Sequence, residues 1–185
     1  MTRRRRSSTP SRSAATSPIV WAIATILFTM LIIGGLGFTG LGSASAARVG
    51  STADFTLNDF SSQPVRLSNY RGHPVLVNLW ASWCPPCRAE MPDLIQFYNT
   101  HQKDGLVLLA VNSADDKSSA QQFAREKAMP FPVLLDPTGS VERLFGVDGL
   151  PSTFLIDKTG TVRFAWTGQI TPAVLDQRVT PLLSQ

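Results

Sequence analysis

The chain has 185 residues, 43% of them hydrophobic and 16% charged, with a formal net charge of +4 and two cysteines. That is one domain's worth of chain with enough apolar side chains for a core, which excludes a disordered tail, a disulfide-stapled miniprotein and a multidomain enzyme. The positive excess belongs to Arg3, Arg4, Arg5, Arg6 and Arg12, whereas residues 48–185 hold 12 basic against 13 acidic residues, a poor match to a phosphate backbone, so no nucleic-acid partner is expected.

Residues 1–18 read as a cytoplasmic basic tail. Residues 19–41 (IVWAIATILFTMLIIGGLGFTGL) carry no charge and reach the ~20 apolar residues needed to cross a hydrocarbon core. Only Thr25, Thr29 and Thr39 interrupt the run, and a threonine can bond back to its own helix. A single transmembrane helix is therefore expected over 19–42, then a linker over 43–52 and a folded domain over 53–185. The arginines ahead of the span hold the N-terminus in the cytoplasm by the positive-inside bias. This places the C-terminal domain on the outer face of the cell membrane. Ala44-Ser45-Ala46 has the small-x-small form of a signal-peptidase site, so cleavage after Ala46 stays open. The apolar run exceeds the ~7 to 15 residues of a signal h-region, which favours a retained signal-anchor. Either outcome exports the domain.

Within the domain, residues 54–70 hold two short apolar pieces around Ser61-Ser62-Gln63, the pattern of a β-hairpin. Residues 75–81 (VLVNLWA) form a short, nearly all-apolar run, as a strand buried on both faces requires. A helix is expected over 88–103, with Met91, Leu94, Ile95 and Tyr98 at helical spacing. A strand over 106–112, a weaker helix over 117–128 and a strand over 132–135 follow. Strand–helix–strand order implies parallel neighbours. Residues 153–157 and 161–166 read as a second hairpin across Lys158-Thr159-Gly160, and a last helix is expected over 172–183. The sum is an α/β domain with a mixed sheet flanked by helices, parallel at its start and antiparallel at its end.

Cys84 and Cys87 stand as Trp83-Cys84-Pro85-Pro86-Cys87, after one predicted strand and before a predicted helix. Unpaired N–H groups and the positive dipole end at a helix N-terminus stabilise a thiolate and lower a thiol pKa from ~8.5. Pro85 and Pro86 lack N–H groups, but the first helical turn tolerates proline. This placement makes Cys84 the exposed nucleophile and Cys87, one turn inward, the resolving thiol. A structural disulfide would close only a short loop and stabilise little. Zinc wants about four ligands, and His73 and His101 are the only histidines to join the pair. A redox role accounts best for the placement, and neither a metal nor a cofactor is called for.

At this point the chain resembles the membrane-anchored, thioredoxin-like disulfide reductases of the ResA, TlpA and CcmG/DsbE type. The resemblance covers about residues 53–183. It rests on Asp54-Phe55-Thr56-Leu57, on the run from Arg71 to Pro92 around the cysteines, and on Gly149-Leu150-Pro151-Ser152-Thr153-Phe154-Leu155-Ile156-Asp157. It implies a thioredoxin fold with an N-terminal β-hairpin and a central βα insertion over about 106–145. Pro151 matches the family's cis-proline, set against the cysteine pair, whose backbone would offer strand-like hydrogen bonds to an incoming peptide. Glu90 matches an acidic residue that tunes thiol acidity, one helical turn from Cys87. Asn78 stands where ordinary thioredoxins carry a buried Asp. Since Asn cannot relay a proton, that task falls to Glu90 or water.

The function expected is reduction of disulfides in exported proteins. The resemblance implies apocytochrome c as one such substrate, in cytochrome c-type biogenesis, with a membrane electron donor of the CcdA or DsbD type. The alternatives are a disulfide-forming oxidase of the DsbA kind, a peroxiredoxin-like peroxidase and a copper-binding assembly factor. A peroxidatic cysteine at 84 would want Pro and Thr or Ser where Val77 and Ala81 stand. Copper assembly would want a CxxxC spacing and a late histidine, and the last one is His101.

Overall fold

The computed structural model describes residues 47–113 and 115–183. The expected basic tail, the span over 19–42 and the cleavage point after Ala46 lie outside the described residues. Among the described residues no helix is long and apolar enough to cross a membrane. Residues 47–52, expected as linker, bond to the domain: Gly50 N–H donates to Val162 O (2.8 Å), Val162 N–H to Ser51 O (2.9 Å), and Thr52 pairs with Thr161.

In chain order, Thr56–Asp59 (β1) and Pro64–Arg66 (β2) form the expected hairpin, followed by the 3-10 turn Leu67–Tyr70. Then come Val75–Trp80 (β3), Pro85–His101 (α1), Val107–Ser113 (β4), Lys117–Glu126 (α2), Val133–Asp136 (β5), Ser140–Phe145 (α3), Ser152–Ile156 (β6) and Val162–Thr167 (β7). The strands form one sheet in the order β2-β1-β5-β4-β3-β6-β7. β3, β4 and β5 are mutually parallel, while β6 and β7 on one side and the hairpin on the other run antiparallel. This is the expected thioredoxin-fold α/β architecture.

Every β3 side chain is buried, because the strand lies mid-sheet between two apolar layers. Successive side chains alternate across a sheet. Leu76 and Trp80 accordingly pack on one face with Met91, Leu94 and Phe97 of α1 and Phe123 of α2. Val75, Val77 and Leu79 pack on the other with Leu67 and with Val141 and Phe145 of α3. Each such side chain taken out of water contributes roughly 1.5–3 kcal/mol. Asn78 shares the parity of Leu76 and Trp80 and therefore faces α1.

Three elements depart from expectation, one of them α3, a helix that no local pattern predicts. α1 begins at Pro85 rather than 88, with both prolines in its first two positions, where a missing N–H costs nothing. The last helix is not uniform: Pro172–Val174 is α-helical, Leu175–Val179 is a π turn and Thr180–Leu182 is 3-10. Pro181 has no N–H for the carbonyl four residues back, so regular α geometry cannot continue.

Candidate active site

Where β3 ends, residues 81–84 turn back sharply, with Cys84 N–H donating to Ala81 O at 3.3 Å. Cys84 is the N-cap of α1, in an extended conformation with φ −85° and ψ 110°. Its Sγ accepts the Cys87 N–H at 3.3 Å, and Cys84 and Cys87 are joined as a disulfide. In the dithiol state the same N–H and helix end favour a thiolate at Cys84. The expectation of an exposed Cys84 is corrected: it is 3% exposed, and Cys87 is fully buried. The difference between the two lies in where Cys84 opens. It lines a groove of about 370 Å³ between Trp83 and Pro86 on one side and Val147, Gly149 and Leu150 on the other. Glu142 and Asp148 also border this groove, and Trp83 stands 61% exposed beside it.

Glu90, one turn beyond Cys87 on α1, is fully buried. Asn78 Nδ2 donates to its Oε1 at 2.8 Å, and the Ile170 backbone N–H donates to its Oε2 at 2.7 Å. Burial pushes the carboxyl up from its ordinary 4.5 to about 7; the Ile170 and Asn78 donors oppose that shift, and the charge of Asp93 adds to it. A carboxyl balanced near neutral pH can give or take a proton under working conditions. Asn78 also donates to Thr153 Oγ1 at 3.0 Å, across the antiparallel β3–β6 pair in which Asn78 and Thr153 are partners. Asn78 thus holds Glu90 in place and does not relay the proton itself.

The Leu150–Pro151 peptide is cis, as the resemblance implied. Pro151 has no N–H, and its carbonyl accepts the Gly168 N–H at 2.9 Å. Leu150, on the other side of this cis bond, lines the groove with Cys84. The two histidines weighed as metal partners are placed elsewhere. His73 Nδ1 lies 3.2 Å from Gly105 O and His101 Nδ1 lies 3.3 Å from Asp104 Oδ2. Among the described residues no cluster of three metal-ligating side chains occurs.

The sequence points to Cys84, Cys87, Glu90 and Pro151, and does not point to the Ile170 N–H, the Asn78–Glu90 bond or Glu142 and Asp148 beside the groove. A signal for the second existed. Strand parity turns Asn78 toward α1, and Glu90, Leu94 and Phe97 fall at helical spacing on the inward stripe of that helix.

The chain matches the model of the AhpC/TSA family over residues 49–165. It is 39% identical over 155 residues to the thiol-disulfide oxidoreductase ResA of Geobacillus thermodenitrificans, covering 81% of this chain and 89% of that one. Among solved structures it is similar to a putative thiol:disulfide interchange protein DsbE from Chlorobium tepidum, with a TM-score of 0.69 and 34% identity over 75% of this chain and 99% of that one. It is also similar to MTB dsbF, solved in mixed oxidized and reduced forms, with a TM-score of 0.64 and 28% identity over 69% of this chain and 94% of that one.

Proposed function

The chain belongs to the AhpC/TSA family, as a thiol-disulfide oxidoreductase of the ResA and DsbE type, and on that premise we propose that it reduces disulfides of exported proteins at the outer face of a cell membrane. The charge-free run over 19–41 behind an arginine cluster supports the location.

The observation that carries the reductive cycle is Glu90, buried one turn from Cys87 with its pKa near neutrality. The Cys84 thiolate attacks one sulfur of a substrate disulfide, and the first substrate thiolate leaves and takes a proton from water. Cys87 then loses its proton to Glu90 and attacks Cys84 Sγ, expelling the second substrate thiolate. Two electrons pass to the substrate, and the Cys84–Cys87 disulfide remains. A membrane dithiol carrier of the CcdA or DsbD type re-reduces it, and apocytochrome c, whose haem-attachment cysteines must be reduced, is the substrate that fits this chemistry and this location.

The test is the reduction potential of the full-length chain. A value near ~−270 mV agrees with a reductase, and one near ~−120 mV would make the chain an oxidant and overturn the direction.

A further inference from the structure

Ser82 stands two residues before Cys84, in the turn that aims it, and each of its polar groups is held by another part of the fold. Its backbone N–H donates to Asp115 Oδ2 at 2.6 Å and its hydroxyl to Asp115 Oδ1 at 3.0 Å. Its carbonyl accepts from Arg88 Nη1 at 3.1 Å. Arg88 in turn lies over the Phe123 ring of α2, with Cζ 4.7 Å from the ring centroid. Asp115 is anchored by a third donor, Asn112 Nδ2 at 2.8 Å, at the end of β4. Asn112 is 2% exposed and its own Oδ1 has no partner among the described residues. Leaving a buried acceptor unpaired is costly, so the amide's orientation is dictated by Asp115.

We infer that Asp115 is a positioning residue for the thiol-disulfide reaction, which braces the turn over 81–84 and with it the sulfur of Cys84. This rests on Cys84 being the nucleophile and goes beyond it, because Asp115 belongs to the central insertion and to no motif around the cysteines.

The brace matters unequally in the two redox states. In the disulfide the S–S bond itself ties Cys84 to α1. In the dithiol that tie is gone, and the turn with its Asp115 and Arg88 contacts carries more of the work of holding Cys84, beside the Cys87 N–H bond to its Sγ and the Arg88 N–H bond to its carbonyl. Loss of the brace therefore weakens the dithiol more than the disulfide. Stabilising the reduced form is what makes a couple oxidising, so removing Asp115 drives the couple toward the disulfide.

The test is equilibration of the full-length chain with glutathione. Two glutathione thiols give two electrons and two protons to the Cys84–Cys87 disulfide, yielding the dithiol and one glutathione disulfide. Asp115→Ala is expected to shift this equilibrium constant about ten-fold toward the protein disulfide, equal to about 30 mV for a two-electron couple. Asp115→Asn, whose amide oxygen can still accept from Ser82 N–H and Asn112 Nδ2 but whose NH2 cannot accept the Ser82 hydroxyl, should shift it about three-fold in the same direction. A constant within two-fold of wild type for Asp115→Ala, with both redox forms losing equal stability, would make the residue merely structural and overturn the inference. If Asp115→Ala does not fold, an unchanged constant for Asp115→Asn overturns it equally. The readout does not depend on substrate reduction. A wild-type chain that fails to reduce protein disulfides would sink the proposed function and leave the brace standing.

Discussion

Replacing Glu90 by Gln removes a charge that the fold holds at a cost, so its effect on stability should change sign with pH. The carboxyl titrates at about 7 when folded, against an ordinary 4.5. Between those values the folded chain keeps a proton that the unfolded chain releases, and stability falls by about 1.4 kcal/mol per pH unit. The loss is absent below pH 4.5 and complete above pH 7, where it amounts to about 3 kcal/mol. Gln does not titrate, so this slope disappears. It must, however, turn its amide N–H groups toward either Asn78 Nδ2 or the Ile170 N–H, at a pH-independent cost of about 1 kcal/mol. Glu90→Gln is thus expected to be about 1 kcal/mol less stable than the parent at pH 4.5 and about 2 kcal/mol more stable at pH 8. Urea unfolding of the disulfide form of both chains at these two pH values measures the difference, with every other titrating group cancelling in the comparison. A stability difference that is the same at both values would refute a Glu90 pKa near neutrality.

Gly160 turns the β6–β7 hairpin at φ +92°, and a Cβ there would fall 2.1 Å from the guanidinium carbon of Arg71. The guanidinium is the far end of a flexible chain, tied to Ala53 O by one long bond of 3.4 Å, and can swing away, so the backbone conformation carries most of the cost. Gly160→Ala should lose about 1 kcal/mol or more in thermal unfolding, and adding Arg71→Ala should not restore it. Trp83→Ala should change folding stability by less than about 1 kcal/mol, since the ring is mostly exposed. It should raise KM for a protein disulfide several-fold, because that ring walls the groove beside Cys84. An unchanged KM would remove the groove from substrate binding.

The central strands were readable because a run such as VLVNLW has no polar face to show, and a strand between two helical layers needs none. The cysteine pair was readable because a thiol at a strand–helix junction has a chemical meaning independent of the rest of the chain. α3 was not readable. It has six residues, with Gly139 as its N-cap and Gly146 as its C-cap, both left-handed. Its N-terminus is capped from a distance by Asp136, whose carboxylate accepts from Ser140 N–H, Ser140 Oγ and Val141 N–H. Asp115 was invisible for a related reason. It acts on Ser82 across 33 positions, through a juxtaposition of β3 and β4 that no local pattern announces. The surroundings of Cys84 are likewise tertiary, since residues 147–150, which line its groove, are far away in the chain.

The claim that Cys84 attacks disulfides of exported proteins is tested most directly by trapping in living cells. In a Cys87→Ala chain the resolving step is missing, so substrates should accumulate as mixed disulfides on Cys84, releasable by a reductant and identifiable by mass spectrometry as exported proteins. Equal trapping by Cys84→Ala, or adducts confined to cytoplasmic proteins, would contradict the account.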